Sequence, residues 1–483
     1  MPELLLTDEA TSTELLSAAE EVGRGADVSY YERSPVDGGE IEPTRAPSLW
    51  TRLSQGLLGH GLLSVCDQAI VSGTSFLTSV LVGRAGGQST LGWFALAISL
   101  VSLARAIQEQ LVSAPYMVFS QRQTGPRIAR YTGNCLAMQT GLSLLTLVGL
   151  GMLGGLVYTG WSPRGLGTIL PGLAIAVPFL LLREHLRQTS FAALKPFSAV
   201  GLDLGATALQ FAGLALIALF GELTPNSVLL VMGLACAVSC SIWLIRRPQP
   251  LELQPAELVA DWRLNWQLGR WALAGHLVGS TAPYIMPWLV LAFHNERIAG
   301  LLAAANTLAG LANLFVQGMA NFLTPQTSRA YQRGGPRELT RVVLHVVTAM
   351  TLALGSVCLV SWLFSGPLVT AVYGASYAPA AVGMSLLVTA TLVNSWGMIA
   401  GNALWAMDRP RANFTADLCA LVVTLSTAAL LIGPWGGSGA AAATLAGVTV
   451  GTIVRVSTLI CCLKQELSAE RSPVSYTLAE GRS

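Results

Sequence analysis

Residues 121–130 read QRQTGPRIAR, and residues 332–341 read QRGGPRELTR. A second pair of segments matches in the same way, KPFSAVGLDL at 195–204 and RPRANFTADL at 409–418. Both pairs recur about 210 residues apart, and such a fixed spacing is typical of a chain built from two copies of one unit. The two matches therefore divide the chain into two repeats of similar length.

Long apolar stretches surround these four segments. Of the 483 residues, 52% are hydrophobic and only 11% are charged, whereas a soluble domain carries about 25% charged residues. A helix that crosses the hydrocarbon core of a bilayer needs about 20 apolar residues. The stretches fit about twelve such helices, at 62–83, 89–113, 132–158, 166–187, 198–221, 226–245, 268–294, 298–324, 341–364, 379–404, 413–433 and 438–463.

These patterns predict the fold class. We expect an all-α polytopic membrane protein with about 12 transmembrane helices in two six-helix lobes. Six is an even number, so both lobes begin on the same side of the membrane. The lobes are then related by a pseudo-twofold axis along the membrane normal, and a substrate path between them is expected.

Basic residues predict the orientation. If the N-terminus is cytoplasmic, 23 of the 28 Lys and Arg residues fall on the cytoplasmic side, as the positive-inside rule requires. Both termini are then cytoplasmic. The first 50 residues hold eleven acids and three arginines, a composition typical of a disordered, solvated tail. The predicted parts are an acidic cytoplasmic tail at 1–50, an N-terminal lobe at 51–245, a cytoplasmic linker at 246–267, a C-terminal lobe at 268–463 and a cytoplasmic tail at 464–483.

Three further motifs carry a resemblance to a known family. They are SVLVGRAGGQSTLGWFA at 79–95, TAVYGASY at 370–377 and GPWGGSGAAAATLA at 433–446. With these three motifs in this order, the chain resembles the polysaccharide (O-antigen and exopolysaccharide) flippases of the multidrug/oligosaccharidyl-lipid/polysaccharide exporter superfamily. The resemblance covers about residues 60–465.

The resemblance implies a function. Such a protein flips undecaprenyl-pyrophosphate-linked oligosaccharides across the bacterial inner membrane by alternating access, and a proton or sodium gradient drives it. Its expected partners are the lipid bilayer, the lipid-linked oligosaccharide, the coupling ion and, as a possibility, other polysaccharide-assembly proteins. No nucleic-acid partner is expected.

Ionisable residues inside apolar helices are the main candidates for binding, since each costs ~2.5–3.5 kcal/mol or more at the bilayer centre. Arginine suits a pyrophosphate because it offers paired donors and stays charged. The candidates for a cationic, substrate-binding cavity are Arg105, Arg455, His276, Arg183 and Arg187. Simpler interpretations stand beside this one. Arg105 and Glu109 have the spacing of a helical ion pair, Arg455 could extend to the interface, and the other three could serve topology or packing.

Four acids complete the candidates. Asp67 and Glu109 are candidates for ion coupling, although Asp67 equally fits a position at the membrane interface. Asp203 and Asp417 occupy equivalent places in the two repeats. We expect these two to pair with nearby basic loops.

The sequence carries no signature of an enzyme. It has no phosphate-binding Gly-rich loop ending in Lys-Ser/Thr and no His-Glu-x-x-His motif. No catalytic residue, cofactor or metal ligand is predicted, and the eight cysteines fit apolar packing. Two alternatives to a flippase stay open, a multidrug or cation antiporter of the same superfamily and a membrane-embedded polysaccharide polymerase. A polymerase would need a sizeable catalytic loop, and the short outer loops argue against one.

Overall fold

A computed structural model describes residues 57–160, 165–246 and 251–471. The predicted acidic tail at 1–50 lies outside the described residues, as does most of the predicted C-terminal tail. Within the described part, the chain is all-helical, and it is a multi-pass membrane protein. Ten α-helices follow one another: α1 Leu57–Gln108, α2 Ala114–Phe119, α3 Pro126–Tyr158, α4 Leu166–Ala192, α5 Pro196–Phe220, α6 Pro225–Ile245, α7 Pro255–Phe293, α8 Glu296–Tyr373, α9 Ala380–Ala406 and α10 Pro410–Arg471.

Three of these helices contain a non-helical break at glycine. Gly87 breaks α1 with a φ of 77°, Gly335 breaks α8 with 59°, and Gly436 breaks α10 with 54°. This left-handed region is open to glycine and strained for most other residues. Nine helices of the described part are long and apolar enough to cross a membrane, and the three breaks divide them into twelve segments. The number of crossings and the pseudo-twofold axis stay predictions.

Proline marks the start of five helices, α3, α5, α6, α7 and α10. Proline suits this position because the first helical N–H has no intrahelical partner and the ring fixes a helical φ. One of these starts differs from the sequence prediction. Helix α7 begins at Pro255 with Glu257 in its first turn, so residues 255–267 of the predicted linker are helical. The polar residues before 268 hid this start, because the prediction followed apolar stretches.

Residues from both halves of the chain meet at the turn inside α1. The turn between the two segments of α1 reaches α8, where Tyr377 Oη, just after α8, donates to the Gly83 carbonyl at 3.0 Å. Gln88 Nε2 donates to the Ser376 carbonyl at 2.6 Å. These hydrogen bonds use parts of the motifs at 79–95 and 370–377, so the two motifs meet in space.

Candidate functional site

Two arginines of α4 pair with buried acids of α1 and α5. Arg183 and Arg187 lie one turn apart, so their side chains leave α4 on one face. Arg183 Nε donates to Asp203 Oδ1 at 2.7 Å, and Arg187 Nη1 donates to Asp67 Oδ2 at 3.0 Å. Asp67 is 1% exposed and Asp203 is fully buried. Asp67 is therefore enclosed within the protein, and Asp203 pairs with a helix residue and not with a basic loop.

A third acid joins this network and was missed from the sequence. Glu184 Oε1 accepts from Arg187 Nη2 at 2.7 Å and from Gln188 Nε2 at 3.0 Å. The spacing of three residues between Glu184 and Arg187 was the available signal, because side chains three apart are neighbours on a helix. In the sequence, Glu184 stands among Arg183, His185 and Arg187, a pattern typical of a basic cluster at a helix end.

The network holds more negative than positive groups. Two guanidinium groups, Arg183 and Arg187, face three carboxylates, Asp67, Glu184 and Asp203. Asp67 Oδ1 and Asp203 Oδ2 are buried and accept no hydrogen bond from the described residues. A buried carboxylate is stable when it is paired, protonated or bound to a cation. Arg105, beside the network, lies within electrostatic range of Glu184 and offsets the third carboxylate, so what the network lacks is a donor for these two oxygens.

Arg105 lies beside this network. A cavity of about 250 Å³ is lined by Arg105 of α1, by Arg183 and Glu184 of α4, and by polar side chains of α1 and α5. Among the latter, Gln210 Nε2 donates to Thr78 Oγ1 at 2.8 Å. Arg105 itself is exposed. It is thus a guanidinium group that faces open space next to an ionic network.

The predicted pair between Arg105 and Glu109 is not formed. No ion pair joins the two side chains, although both lie in the described part of the chain. Glu109 begins a π-helical turn at Glu109–Ser113. The α-helix extends to Gln108, so this turn starts only at the second residue of the pair and does not alter the spacing between the two residues; such turns are frequent at functional sites. The i, i+4 interpretation is therefore wrong for this pair.

Arg455 is paired in the second half. Its Nη2 donates to Asp417 Oδ1 across the two segments of α10. Glycines of α9 leave room for the guanidinium, since a Cβ on Gly397 would lie 3.4 Å from Arg455 Nη1. Arg455 is therefore paired with Asp417 and is not a lone side chain that extends to the membrane interface. Asp203 and Asp417 occupy equivalent places in the two repeats, and each accepts a hydrogen bond from an arginine.

His276 lies on α7, away from the α4 network. Its Nε2 is 3.4 Å from Tyr284 Oη. The Tyr284 hydroxyl is also within electrostatic range of Arg105 and Glu109. The middle of α7 and the end of α1 thus place a histidine, a tyrosine, an arginine and a glutamate in one neighbourhood.

A polar cluster ties the start of α3 to the start of α7, and the sequence analysis missed it. Arg127 pairs with Glu257 and with Asp261, and Asn134 Nδ2 donates to Asp261 Oδ2 at 2.7 Å. Asp261 is 1% exposed and Asn134 is fully buried. We call these four residues the α3–α7 clamp. Its acids belong to the predicted linker, so no apolar pattern pointed to them.

The five predicted cationic residues do not line one cavity. Arg105 and Arg183 line the same 250 Å³ cavity. Arg187 is engaged with Asp67 and Glu184. The remaining two, Arg455 and His276, are on other helices with partners of their own. The basic residues are spread over several helices because each buried charge requires a counter-charge nearby.

Comparisons with known proteins identify the fold. No family model matches the chain. The chain is similar to an inward-facing multidrug resistance MATE family transporter of the MOP superfamily, with a TM-score of 0.65, 15% identity, and coverage of 87% of this chain and 98% of the other. It is also similar to the lipid II flippase MurJ in an inward closed conformation, with a TM-score of 0.66, 12% identity, and coverage of 85% and 90%. The fold is therefore that of polytopic MATE and MurJ transporters.

One curated relative matches part of the sequence. It is the probable low-salt glycan biosynthesis flippase Agl15 of Haloferax volcanii, 24% identical over 182 residues. The match spans 37% of this chain and 39% of the relative. The similarity thus concerns less than half of either protein.

Proposed function

We propose that this protein is a transporter that flips undecaprenyl-pyrophosphate-linked oligosaccharide across the bacterial inner membrane for polysaccharide biosynthesis. It works by alternating access between its two halves, and both of its termini are cytoplasmic. The fold shared with a lipid II flippase and the partial match to a glycan biosynthesis flippase support this proposal. The protein is not an enzyme in this account, and other polysaccharide-assembly proteins are its natural partners.

The exposed guanidinium of Arg105 is the single observation that carries the proposal. Arg183, Arg187 and Arg455 each have a carboxylate partner. Arg105 faces a cavity and makes no ion pair among the described residues. An unpaired charge in a membrane protein faces water or a ligand. A guanidinium binds phosphate through parallel hydrogen bonds, so Arg105 is the proposed contact for the pyrophosphate, with His276 and Tyr284 beside it.

The α4 network supplies the proposed coupling site. It contains one more carboxylate than guanidinium, and two of its buried carboxylate oxygens accept no hydrogen bond from the described residues. A proton or a sodium ion would satisfy these two oxygens. Because Asp67 lies on α1 and Asp203 on α5, binding of the ion changes how tightly α4 holds these two helices. We therefore assign ion coupling to Asp67 and Asp203. Glu109 is a candidate for ion coupling only beside His276 and Tyr284 of α7.

A second candidate function follows from the same excess of acid. A cation antiporter needs carboxylates at its binding site, and the cavity beside Arg105 includes Glu184. Arg105 and Arg183 line the same cavity and repel an organic cation. For this reason we place the multidrug or cation antiporter second. A polysaccharide polymerase has no supporting site in the described residues.

Reconstitution separates these functions. Purified protein in vesicles is given a lipid-pyrophosphate-linked oligosaccharide with a fluorescent sugar, and an impermeant quencher reports which leaflet holds the sugar. The proposal predicts protein-dependent movement of the fluorescent sugar and no uptake of a fluorescent organic cation. Uptake of the cation without movement of the sugar identifies the antiporter. Elongated oligosaccharide in the product identifies the polymerase.

A further inference from the structure

A second, larger cleft lies in the first half of the chain, apart from the cavity beside Arg105. Its volume is about 1000 Å³. The start of α3 forms one wall, α5 and α6 form the other, and Thr189 and Ser190 of α4 lie at the back. All its lining residues fall between Tyr116 and Arg246. No residue of the second half contributes, so the cleft is separate from the predicted substrate path between the halves.

The lining has two chemically different ends. Lys195 precedes α5 and Arg246 follows α6, and these two cations mark one end. Both are exposed, and neither makes an ion pair among the described residues. No acidic residue lines the cleft. This end is thus complementary to an anion.

The other end is apolar and open. Leu209 lines it with 41% of its surface exposed, whereas Ile242 lies one helical turn before Arg246 and belongs to the basic end. Gly201 belongs to the same wall, and a Cβ there would meet no atom within 4 Å. Fourteen residues separate Lys195 from Leu209, which corresponds to about 20 Å along a helix. That length is close to one leaflet of the roughly 30 Å hydrocarbon core together with a head group.

Two buried hydroxyls lack partners inside the cleft. Ser120 is 3% exposed and Ser239 is 6% exposed, and the Oγ of each has no hydrogen-bond partner among the described residues. Both line the cleft. An unpaired buried hydroxyl destabilises a protein by about 1–3 kcal/mol. A ligand with acceptor oxygens would satisfy these groups.

Trp243 indicates how deep the basic end of the cleft lies in the membrane. It lines the cleft, and its Nε1 donates to Ser198 Oγ at 2.8 Å. Tryptophan is enriched at the level of the lipid head groups because its ring is amphipathic. The cations therefore lie at head-group level and the apolar end lies inside the bilayer.

We propose that this cleft binds one anionic phospholipid of the leaflet at the basic face of the protein. The phosphate is held by Lys195 and Arg246, the glycerol and ester oxygens accept from Ser120 and Ser239, and an acyl chain lies along Gly201 and Leu209. The lipid is a bound component of the protein and is not the transported molecule. This site does not depend on the proposed function.

The test measures binding of phosphatidylglycerol to purified, delipidated full-length protein by native mass spectrometry. We compare the wild type with the double variant Lys195→Ala, Arg246→Ala. The matched control is Arg409→Ala, Lys464→Ala, which removes the same charge and includes the repeat equivalent of Lys195. We expect one tightly bound phosphatidylglycerol on wild type and control. Each removed cleft cation should weaken binding about fivefold.

A second variant tests the tail end without changing charge. Gly201→Leu fills the open space and raises helix propensity, so it should fold normally and bind phosphatidylglycerol at least about fivefold more weakly. Phosphatidylcholine should bind more weakly than phosphatidylglycerol to the wild type. Inorganic phosphate should not displace the lipid at equal concentration.

Four outcomes would overturn the proposal. Equal binding by wild type and both cleft variants shows that the lipid is elsewhere. An equal loss in the control shows attraction to net charge alone. Displacement by inorganic phosphate at equal concentration shows that the tail is not bound. A change from dimer to monomer in the cleft variants, with phosphatidylglycerol binding unchanged, assigns the cleft to a second copy of this chain.

Discussion

Gly92 of α1 and Gly300 of α8 contact each other reciprocally. A Cβ built on Gly92 would lie 3.1 Å from the Gly300 nitrogen, and a Cβ built on Gly300 would lie 3.1 Å from the Gly92 nitrogen. Each would also clash with a backbone carbonyl of the other helix, that of Glu296 or of Gln88. Such reciprocity is what a twofold relation produces. It supports the predicted pseudo-twofold axis, which would pass between these two glycines.

The first prediction concerns this contact. Gly92→Leu and Gly300→Leu should each reduce sugar flipping at least about tenfold, because a side chain at either place prevents the two helices from meeting. The two effects should be similar in size if the relation is twofold. Flipping in vesicles is measured, normalised to protein amount.

The control for this prediction is Gly141→Leu. A Cβ at Gly141 meets no atom within 4 Å, so this variant adds the same side chain to a helix without a clash. Wild-type flipping by Gly92→Leu would show that this contact is not part of the transport cycle.

The second prediction concerns the pair of Arg455 and Asp417. Arg455→Ala should lower the amount of folded protein in the membrane, because it leaves the carboxylate of Asp417 without its partner. Breaking a buried pair destabilises by roughly 3–5 kcal/mol, and Asp417 is only partly buried, so an effect below this range is expected. The double variant Arg455→Ala, Asp417→Ala should recover most of the loss. Abundance is measured by in-gel fluorescence of a fused reporter.

Arg341 provides the comparison. It pairs with Glu338 at 3.0 Å but is 70% exposed, and exposed pairs contribute at most about 1 kcal/mol. Arg341→Ala should therefore leave abundance unchanged. If the double variant is no better than Arg455→Ala alone, Arg455 acts through a group other than Asp417.

The third prediction concerns ion coupling. Asp203→Asn keeps an acceptor for Arg183 but removes the titratable carboxylate, and Asp67→Asn does the same for Arg187. Both variants should flip the sugar without response to an imposed proton or sodium gradient, because the carboxylate that would take up the ion is gone. The initial rate of flipping is measured with and without each gradient. Asp408→Asn, at an exposed position outside the network, is the control and should keep the response of the wild type.

The fourth prediction concerns the α3–α7 clamp. Asp261→Ala removes the partner of Arg127 and of Asn134, so the first turns of α7 should open more often. Hydrogen exchange of residues 255–265 should become faster, while exchange in α9 should not change. Glu252→Ala, at the exposed end of the same region, should have little effect. Unchanged protection in Asp261→Ala would mean that apolar packing alone holds this segment.

Much of the fold was predictable from the sequence, because a bilayer requires long apolar helices and glycine breaks them at defined places. The apolar stretches predicted boundaries near Gly87 and Gly436, where the breaks occur. The start of α7 was not predictable in this way. Its first turns carry Glu257 and Asp261 and are stabilised by Arg127, about 130 residues earlier in the chain.

The candidate site was predictable only in part. The residue types pointed to Arg105, Arg183 and Arg187, because charges are rare in apolar helices. Their partners were not predictable, since the acids lie on other helices. The π-turn at Glu109 was also hidden, because a change of helical register leaves no mark in composition.

The measurement that tests the central claim most directly is sugar flipping by Arg105→Ala and Arg105→Lys in vesicles. Arg105 is the proposed contact for the pyrophosphate, and lysine keeps the charge but loses the paired donors. We predict a loss of about tenfold to a hundredfold for alanine, since charge-assisted hydrogen bonds to one group contribute about 1.5–3 kcal/mol. Lysine should restore part of the rate, and Arg411→Ala, an exposed arginine away from the cavity, should behave as wild type. Wild-type flipping by Arg105→Ala at normal abundance would contradict the account.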